Sequence, residues 1–388
     1  MGETSSTVRV LERIGEVAPD AWNALVADGS PFVEWEWLAS LEDAETVRPE
    51  TGWMPQHLTL WENERLVAAC PMYVKGHSMG EFVFDHGWAS AAERAGLAYY
   101  PKLLVAVPFT PVTGARFLAR PADASRVVEP LAAVLESVCG QQDLSSVHVN
   151  FCLPHEADAL ERRGWLRRNA WQYHWRNDGY ADFDDYLASL RSKRRNQARR
   201  ERRALAEQGI TITRYLGDEI PDALVPTMYR LYRATLDDNP WGRPYLNARF
   251  FELVAERFRS RLCFIVARQG DEIVAGTVNV QKGDALYGRY WGAFRYVRHL
   301  HFNVCYYAAI EHCIAHRLAR FEPGAGGEFK HLRGFDATQT CSLHHLRHPG
   351  FRAAVADFLE REREAVDDQV AWLDERSALR RDRPRRSS

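Results

Sequence analysis

Leu-Trp-Glu-Asn-Glu-Arg-Leu-Val-Ala-Ala-Cys-Pro-Met-Tyr-Val-Lys, residues 60–75, and Ala-Arg-Gln-Gly-Asp-Glu-Ile-Val-Ala-Gly-Thr-Val-Asn-Val-Gln-Lys, residues 267–282, follow one pattern. In each, a run of strand-forming residues meets a polar turn and a second run answers it, which predicts a hairpin. The first copy runs from His57 to Trp61, turns at Asn63 and Glu64, returns from Arg65 to Val74 and adds a third strand from Glu81 to Trp88. The second runs from Arg261 to Arg268, turns at Gln269 to Glu272, returns from Ile273 to Val280, turns again at Gln281 to Asp284 and ends with Ala285 to Phe294. Both lead to a Trp (Trp88, Trp291) and then to a tandem tyrosine (Tyr99 and Tyr100; Tyr306 and Tyr307). This predicts a diverged duplication of one mixed α/β unit. A chance likeness between two degenerate strand patterns is the alternative.

Outward from the first copy, Ser6 to Ile14 reads as a strand, Ala18 to Val26 as a helix begun at Pro19, and Pro31 to Leu41 as a helix with an aromatic inner face. Ala122 to Val138 and Pro154 to Arg163 read as helices, and Ser146 to Cys152 and Leu166 to Arg176 as strands. These close a first domain at residues 1–178. The second domain, 179–375, begins with a long helix at 180–205 and continues through a strand (Ile210 to Tyr215) and two helices (Asp222 to Asp237, Asn247 to Arg259) into the second hairpin copy. It ends in an amphipathic helix from Pro349 to Glu375. Residues 376–388 hold six arginines and one Asp, the composition of a disordered basic tail.

The chain has 388 residues, is 46% hydrophobic and 26% charged, and carries a net charge of -2. That is a globular composition with no overall pull toward nucleic acid or membrane, so any such affinity must be local. Seven scattered cysteines without a CxxC pair fit reduced, mostly buried thiols. Met-Gly-Glu-Thr-Ser-Ser lacks the features of a signal peptide, and no apolar run reaches membrane-spanning length, so a cytoplasmic location is expected.

Phe321 to Phe335, Phe-Glu-Pro-Gly-Ala-Gly-Gly-Glu-Phe-Lys-His-Leu-Arg-Gly-Phe, is the candidate for chemistry. Its glycines allow close backbone approach to a ligand. Backbone N–H groups at Gly326 and Gly327 would contact an oxyanion or phosphate, and Lys330 and Arg333 would bind anions. A polar run follows from Thr338 to His348 and includes His344. A surface loop with solvated charges is the bland reading.

The strand 285–294 alternates so that Tyr287, Arg289 and Trp291 share one face, the wall of a cleft that stacks on an organic substrate and pairs its anion. A core strand with a snorkelling Arg has the same pattern. His301 leads into a helix at Phe302 to Arg320, on which Tyr307 and Glu311 stand one turn apart and could form an acid/base pair. A plain local hydrogen bond is the alternative. His312 and His316 lack the Glu of a zinc-protease helix, so no metal is expected.

Arg191 to Arg203 holds eight basic residues and one acid in thirteen positions. Arg191, Lys193, Arg194, Arg195 and Arg199 would suit a polyanion such as tRNA phosphates, a lipid pyrophosphate or an anionic membrane, unless they are a solvated face. The chain has no P-loop, nucleophile-elbow or Rossmann motif, and no R/Q-x-x-G-x-G/A loop of the kind that grips coenzyme A.

Together, Phe84 to Ala89, Tyr99 to Leu103, Pro108 to Gly114, Ser189 to Asn196, Tyr287 to Gly292, His299 to Asn303 and Phe321 to Phe335 resemble the FemAB-like proteins of peptidoglycan biosynthesis or recognition. The resemblance covers nearly the whole chain and implies two tandem GNAT-like domains, each a mixed, mostly antiparallel sheet flanked by helices. It departs from the family pattern at Phe329, which is usually His. It also implies likeness to aminoacyltransferases that move an amino acid from aminoacyl-tRNA onto a cell-wall precursor amine, with no tightly bound cofactor. An acyl-CoA-dependent N-acetyltransferase and a non-catalytic module that recognises a cell-wall precursor or RNA are the rival readings.

Overall fold

The computed structural model describes residues 6–237 and 244–380. Its contacts divide the chain into two units, 1–170 with 339–368, and 171–338 with 369–388. The boundary expected at 178 therefore lies eight residues earlier, and the stretch 339–368 belongs to the first unit rather than the second.

The first unit runs through β1 (Ser6–Leu11), α1 (Pro19–Val26), α2 (Trp35–Asp43), β2 (Trp53–Pro55), β3 (His57–Glu62), β4 (Arg65–Cys70), β5 (Met72–Lys75), α3 (His86–Arg94), β6 (Lys102–Val105), β7 (Leu118–Ala119), α4 (Ala124–Gln141), β8 (Ser146–Asn150) and α5 (Pro154–Arg162). The hairpin expected at 57–74 is present, but Pro71, which has no N–H to give a ladder, splits its second arm. β4 stays in the antiparallel sheet β1-β3-β4-β7, and β5 joins β2 and β6. The strand expected from Glu81 to Trp88 does not form. Phe82 takes a positive φ, and Glu81 and Asp85 are both drawn onto the Lys102 ammonium, so the run is a loop leading into α3. Leu131, Leu135 and Leu160 of α4 and α5 pack on Leu103, Val105, Val147 and Val149 of β6 and β8.

β9 (Leu166–Arg176) carries the chain into the second unit, followed by α6 (Phe183–Ser189), α7 (Ser192–Ala206), β10 (Ile210–Leu216), α8 (Leu224–Asp237), α9 (Ala248–Arg257), β11 (Leu262–Gln269), β12 (Glu272–Lys282), β13 (Ala285–Ala293), α10 (Leu300–Phe302), a π-helical turn (Asn303–Tyr307), α11 (Ala308–Ala315) and β14 (Arg320–Glu322). β15 (Asp336–Leu346) and α12 (Pro349–Glu375) complete the chain. The expected helix 180–205 is two helices, because Leu190 and Arg191 are extended, with ψ of 150° and 143°. Leu190 instead bridges to Leu379, and Arg191 N–H donates to the Ala378 carbonyl. Residues 376–380 are therefore packed, with Ala378 buried, and are not part of a disordered tail; 381–388 lie outside the described residues.

The two units repeat one strand order. In the second, β10, β11, β12 and β13 pair antiparallel in turn, β13 pairs parallel with β14, and β9 closes the sheet antiparallel to β14. In the first, β5 pairs antiparallel with β6, β6 pairs parallel with β8, and β15 closes antiparallel to β8. The closing strand of each comes from the other half of the sequence: β9 follows α5 yet pairs with β14, and β15 follows β14 yet pairs with β8. Gly292 of β13 lies flush beneath α8; a Cβ there would stand 1.8 Å from the Leu231 carbonyl oxygen, so no other residue fits.

Candidate functional site

A cleft of about 280 Å³ opens in the second unit, lined by Thr277, Asn279, Gly288, Arg289, Tyr290, Trp291, His301, Cys305, Tyr306, Phe321, Pro323, Ala325, Gly326, Gly327 and Lys330. Its wall owes its shape to a β-bulge. Val278 pairs with Tyr290 and Asn279 with Gly288, leaving Arg289 as the extra residue, so consecutive side chains turn toward one space. The bulge also breaks the expected alternation. Tyr287 lies outside the cleft, buried, and its hydroxyl accepts a hydrogen bond from Arg320 Nη2 at 2.9 Å.

The opposite lip is the Gly-rich turn. Lys330 Nζ donates to the carbonyls of Gly324 (2.5 Å) and Gly326 (2.6 Å) and reaches that of Ala325 at 3.5 Å. Because N–H and C=O point opposite ways across a trans peptide, the amides of Ala325, Gly326 and Gly327 turn away from Lys330. Those three amides donate to no backbone acceptor among the described residues. Burial pulls the Lys330 ammonium down to about 8.

His301 stands between the two lips. Its ring meets Trp291 edge-on at 5.1 Å and Tyr306 at 5.2 Å, and no hydrogen bond holds either nitrogen among the described residues. Burial, with the charges of Arg333 and Lys330 adding to it, holds the imidazole down to about 4, so it is neutral at physiological pH. A more apolar groove of about 700 Å³ shares Trp291 and His301 with the cleft and is walled by Phe294, Tyr296, Phe302 and Phe329. Phe329 packs on Phe302 at 5.8 Å, so the ring at the usually-His position belongs to this groove.

Six expected residues thus converge: Arg289, Trp291, His301, Gly326, Gly327 and Lys330. Others do not. Arg333 is a buried ion-pair partner rather than an anion binder, since its Nη2 lies 2.8 Å and 2.9 Å from the two carboxylate oxygens of Glu201. Tyr307 is not paired with Glu311. Its hydroxyl donates to Glu201 Oε2 at 2.5 Å and accepts from Arg333 Nε at 3.0 Å, and burial pushes the phenol well up. Glu311 faces Arg202 (2.5 Å) and Arg214 (3.6 Å) in a separate hollow of about 220 Å³. His344 lies in the first unit, fully buried, with Nδ1 2.7 Å from Nδ1 of His148. Of the basic run, Arg191 reaches the Glu375 carbonyl, Arg194 donates to Gln197, Arg195 to Ser192, and Arg199 faces Asp184. Lys193, Arg200 and Arg203 are exposed, with no side-chain partner among the described residues.

A family model described as peptidoglycan biosynthesis/recognition, FemAB-like, matches residues 13–381. The chain belongs to the FemAB-like family. No curated protein sequence matches it. Among solved structures it is similar to FemX (TM-score 0.54, 10% identity, 88% of this chain and 98% of that one) and to L-PGS from Bacillus licheniformis (TM-score 0.51, 9% identity, 83% and 95%). A tandem GNAT protein from the clavulanic acid biosynthesis pathway aligns with a TM-score of 0.46 and 12% identity, over 89% of this chain and 99% of that one. The mixed α/β class expected from the sequence is the class of this FemAB-like chain, whose fold is similar to those of FemX and L-PGS. No helix among the described residues is long and apolar enough to cross a membrane.

Two groups in this FemAB-like protein escaped the sequence reading. Glu201 is the single acid of the basic run, yet with Ala198 and Leu205 it forms the buried stripe of α7 at helical spacing, a signal that was available. In the first unit, Lys102 is wholly buried and donates to Glu81 (2.9 Å), Asp85 (2.5 Å) and Ser78 (2.9 Å). Lys75 lies 3.6 Å over the Trp53 ring, and burial lowers its ammonium to about 7. Asp85 and Lys102 both lie in stretches that carry the family resemblance, the one signal in the sequence that could have found them.

Proposed function

We propose that the cleft of the second unit transfers an activated acyl or aminoacyl group to an amine of a cell-wall precursor. The observation that carries this reading is a neutral, hydrogen-bond-free imidazole, His301, facing a turn whose carbonyls are tied back by Lys330 and whose amides are left to bind negative charge. An acceptor amine attacks the ester carbonyl, a C–N bond forms, and the oxyanion is met by the amides of Ala325 to Gly327. His301 takes the proton released by the amine, and the ester C–O bond breaks as its oxygen leaves protonated. The acid/base work thus passes from Glu311 and Tyr307 to His301, and Arg289 and Trp291 hold the acceptor by charge and stacking.

Aminoacyl-tRNA is the donor favoured here, because Lys193, Arg200 and Arg203 leave a basic face on α7 open to phosphates. The test incubates the purified protein with radiolabelled aminoacyl-tRNA or acetyl-CoA and a soluble muramyl-pentapeptide precursor, beside a His301→Ala variant. Label on the precursor from aminoacyl-tRNA, lost in the variant, supports the reading. Label from acetyl-CoA alone transfers the donor assignment to coenzyme A. Precursor binding without label from any donor would mark a recognition module.

A further inference from the structure

Cys152 lies two residues beyond the end of β8, and Cys341 stands on β15, the antiparallel neighbour of β8 in the first unit. Phe151 N–H donates to the Cys341 carbonyl at 3.0 Å, and the two sulfurs lie 3.9 Å apart although 189 residues separate them in sequence. Cys152 is buried and Cys341 half-buried, so a small reagent meets Cys341 first.

The surroundings of the two sulfurs are unequal. The Cys152 sulfur and the neighbouring Arg167 guanidinium lower the Cys341 thiol, while Cys152 is pushed well up. Nearby, wholly buried Arg116 spends its guanidinium donors on the carbonyls of Asn150, Val112, Gly114 and Ala115, and among the described residues its side chain bonds to no carboxylate. Cys305, the other half-buried cysteine, sits in the transfer cleft with its thiol pushed well up by burial. Four more cysteines are buried.

We propose that Cys341 and Cys152 form a reversible dithiol site for a hydroperoxide, with Cys341 the attacking sulfur and Cys152 the resolving one. The Cys341 thiolate attacks the peroxide; an S–O bond forms, the O–O bond breaks, and the leaving oxygen departs protonated as alcohol or water. The Cys152 thiol then attacks the resulting sulfenic sulfur; an S–S bond forms, the S–O bond breaks, and the Cys152 proton leaves with the hydroxyl as water. Two thiols and one peroxide thus give one disulfide, one alcohol or water, and one further water. Closure to about 2.05 Å asks the sulfurs, now 3.9 Å apart, to approach each other. The site is independent of the transfer reaction.

The experiment treats the full chain with hydrogen peroxide near pH 7.5 and maps its peptides without reduction. A 152–341 disulfide peptide formed ahead of oxidation at any other cysteine, and reversed by dithiothreitol, is expected. In Cys152→Ala, a sulfenic-acid probe should label Cys341, and the midpoint of Cys341 alkylation against pH should move upward as the S–H donor is lost. In Cys341→Ser, oxidation of Cys152 should slow at least tenfold. A Cys341 peptide that stays reduced while Cys305 or another thiol oxidises would overturn the proposal, and so would an unlabelled Cys341 in a folded Cys152→Ala protein. The unreduced peptide map of the unmutated chain decides the matter even if a variant fails to fold.

Discussion

Glu201→Gln is the sharpest probe of how the second unit is held around its cleft. The two side chains of the pair are almost wholly buried, Arg333 at 3% and Glu201 at 2% exposure, and Tyr307 completes the set. Gln keeps the volume and removes the charge, leaving the Arg333 guanidinium without its counter-ion and over the Phe302 ring at 3.5 Å. Breaking a buried pair from one side costs about 3–5 kcal/mol. For a unit of this size each kcal/mol moves the melting midpoint by about 2–4 °C, so a fall of about 6–20 °C is expected. Glu311→Gln is the internal control, since its carboxylate is 24% exposed and its nearer partner Arg202 37%. Such a pair contributes about 0–1 kcal/mol. Melting followed by calorimetry resolves the two variants, and Glu201→Gln with Arg333→Met together should recover part of the loss through a coupling of at least about 1 kcal/mol. A Glu201→Gln midpoint no lower than that of Glu311→Gln would refute the reasoning.

Further expectations concern catalysis, pH and charge. His301→Ala should lower kcat for transfer by about 10²–10⁴-fold with KM little changed, as for loss of a general base; an unchanged kcat removes His301 from the proton path. Acid should destabilise the fold. Burial depresses His148, His174, His301, His312 and His344, to about 3 for His174 and His344 and about 4 for His301 and His312. Each lends stability that is full above its unfolded value near 6.5 and falls away as pH drops toward the folded value. Glu81 and Glu322, raised to about 7 and about 6, work the other way, lending stability at low pH that is lost as pH rises through those values. His77 and His345 are lowered by burial as well and Glu156 is raised by it, so seven groups oppose three and the melting midpoint should fall from pH 7 to pH 5; a flat or rising profile counts against these burials. Lys193→Gln, Arg200→Gln and Arg203→Gln should each leave the melting midpoint in place and reduce the salt slope of RNA binding by about 0.7, and an unaltered slope removes α7 from any phosphate contact.

The hairpins were legible because their alternation and turn residues are local properties. Pro71 was visible too, yet what it does, sending β4 and β5 to different neighbours, depends on strands remote in sequence. The strand read at 81–88 failed for a related reason: its alternation is real, but Glu81 and Asp85 answer to Lys102, whose position only the fold supplies. In the candidate site, composition pointed to the Gly-rich turn, to Arg289 and Trp291, and to His301. The Tyr307 and Glu311 pairing rested on helix spacing alone, and it gave way to Arg333 and Glu201, stronger partners carried by other elements. Tyr287 was misplaced by one inserted residue in the ladder, a bulge that leaves no mark in the pattern of residue types.

The crossed closing strands make the order of synthesis consequential. Asn150 at the end of β8 leaves the ribosome long before Ser342, its partner on β15, has been made. At roughly 5–20 residues per second the first sheet waits on the order of ten to forty seconds with an open edge, a template for wrong pairing. A fragment cut at the apparent midpoint would leave that edge open for good and would deprive β14 of its neighbour. Neither half of the sequence can therefore be exchanged as it stands: each unit draws its closing strand from the other half of the gene.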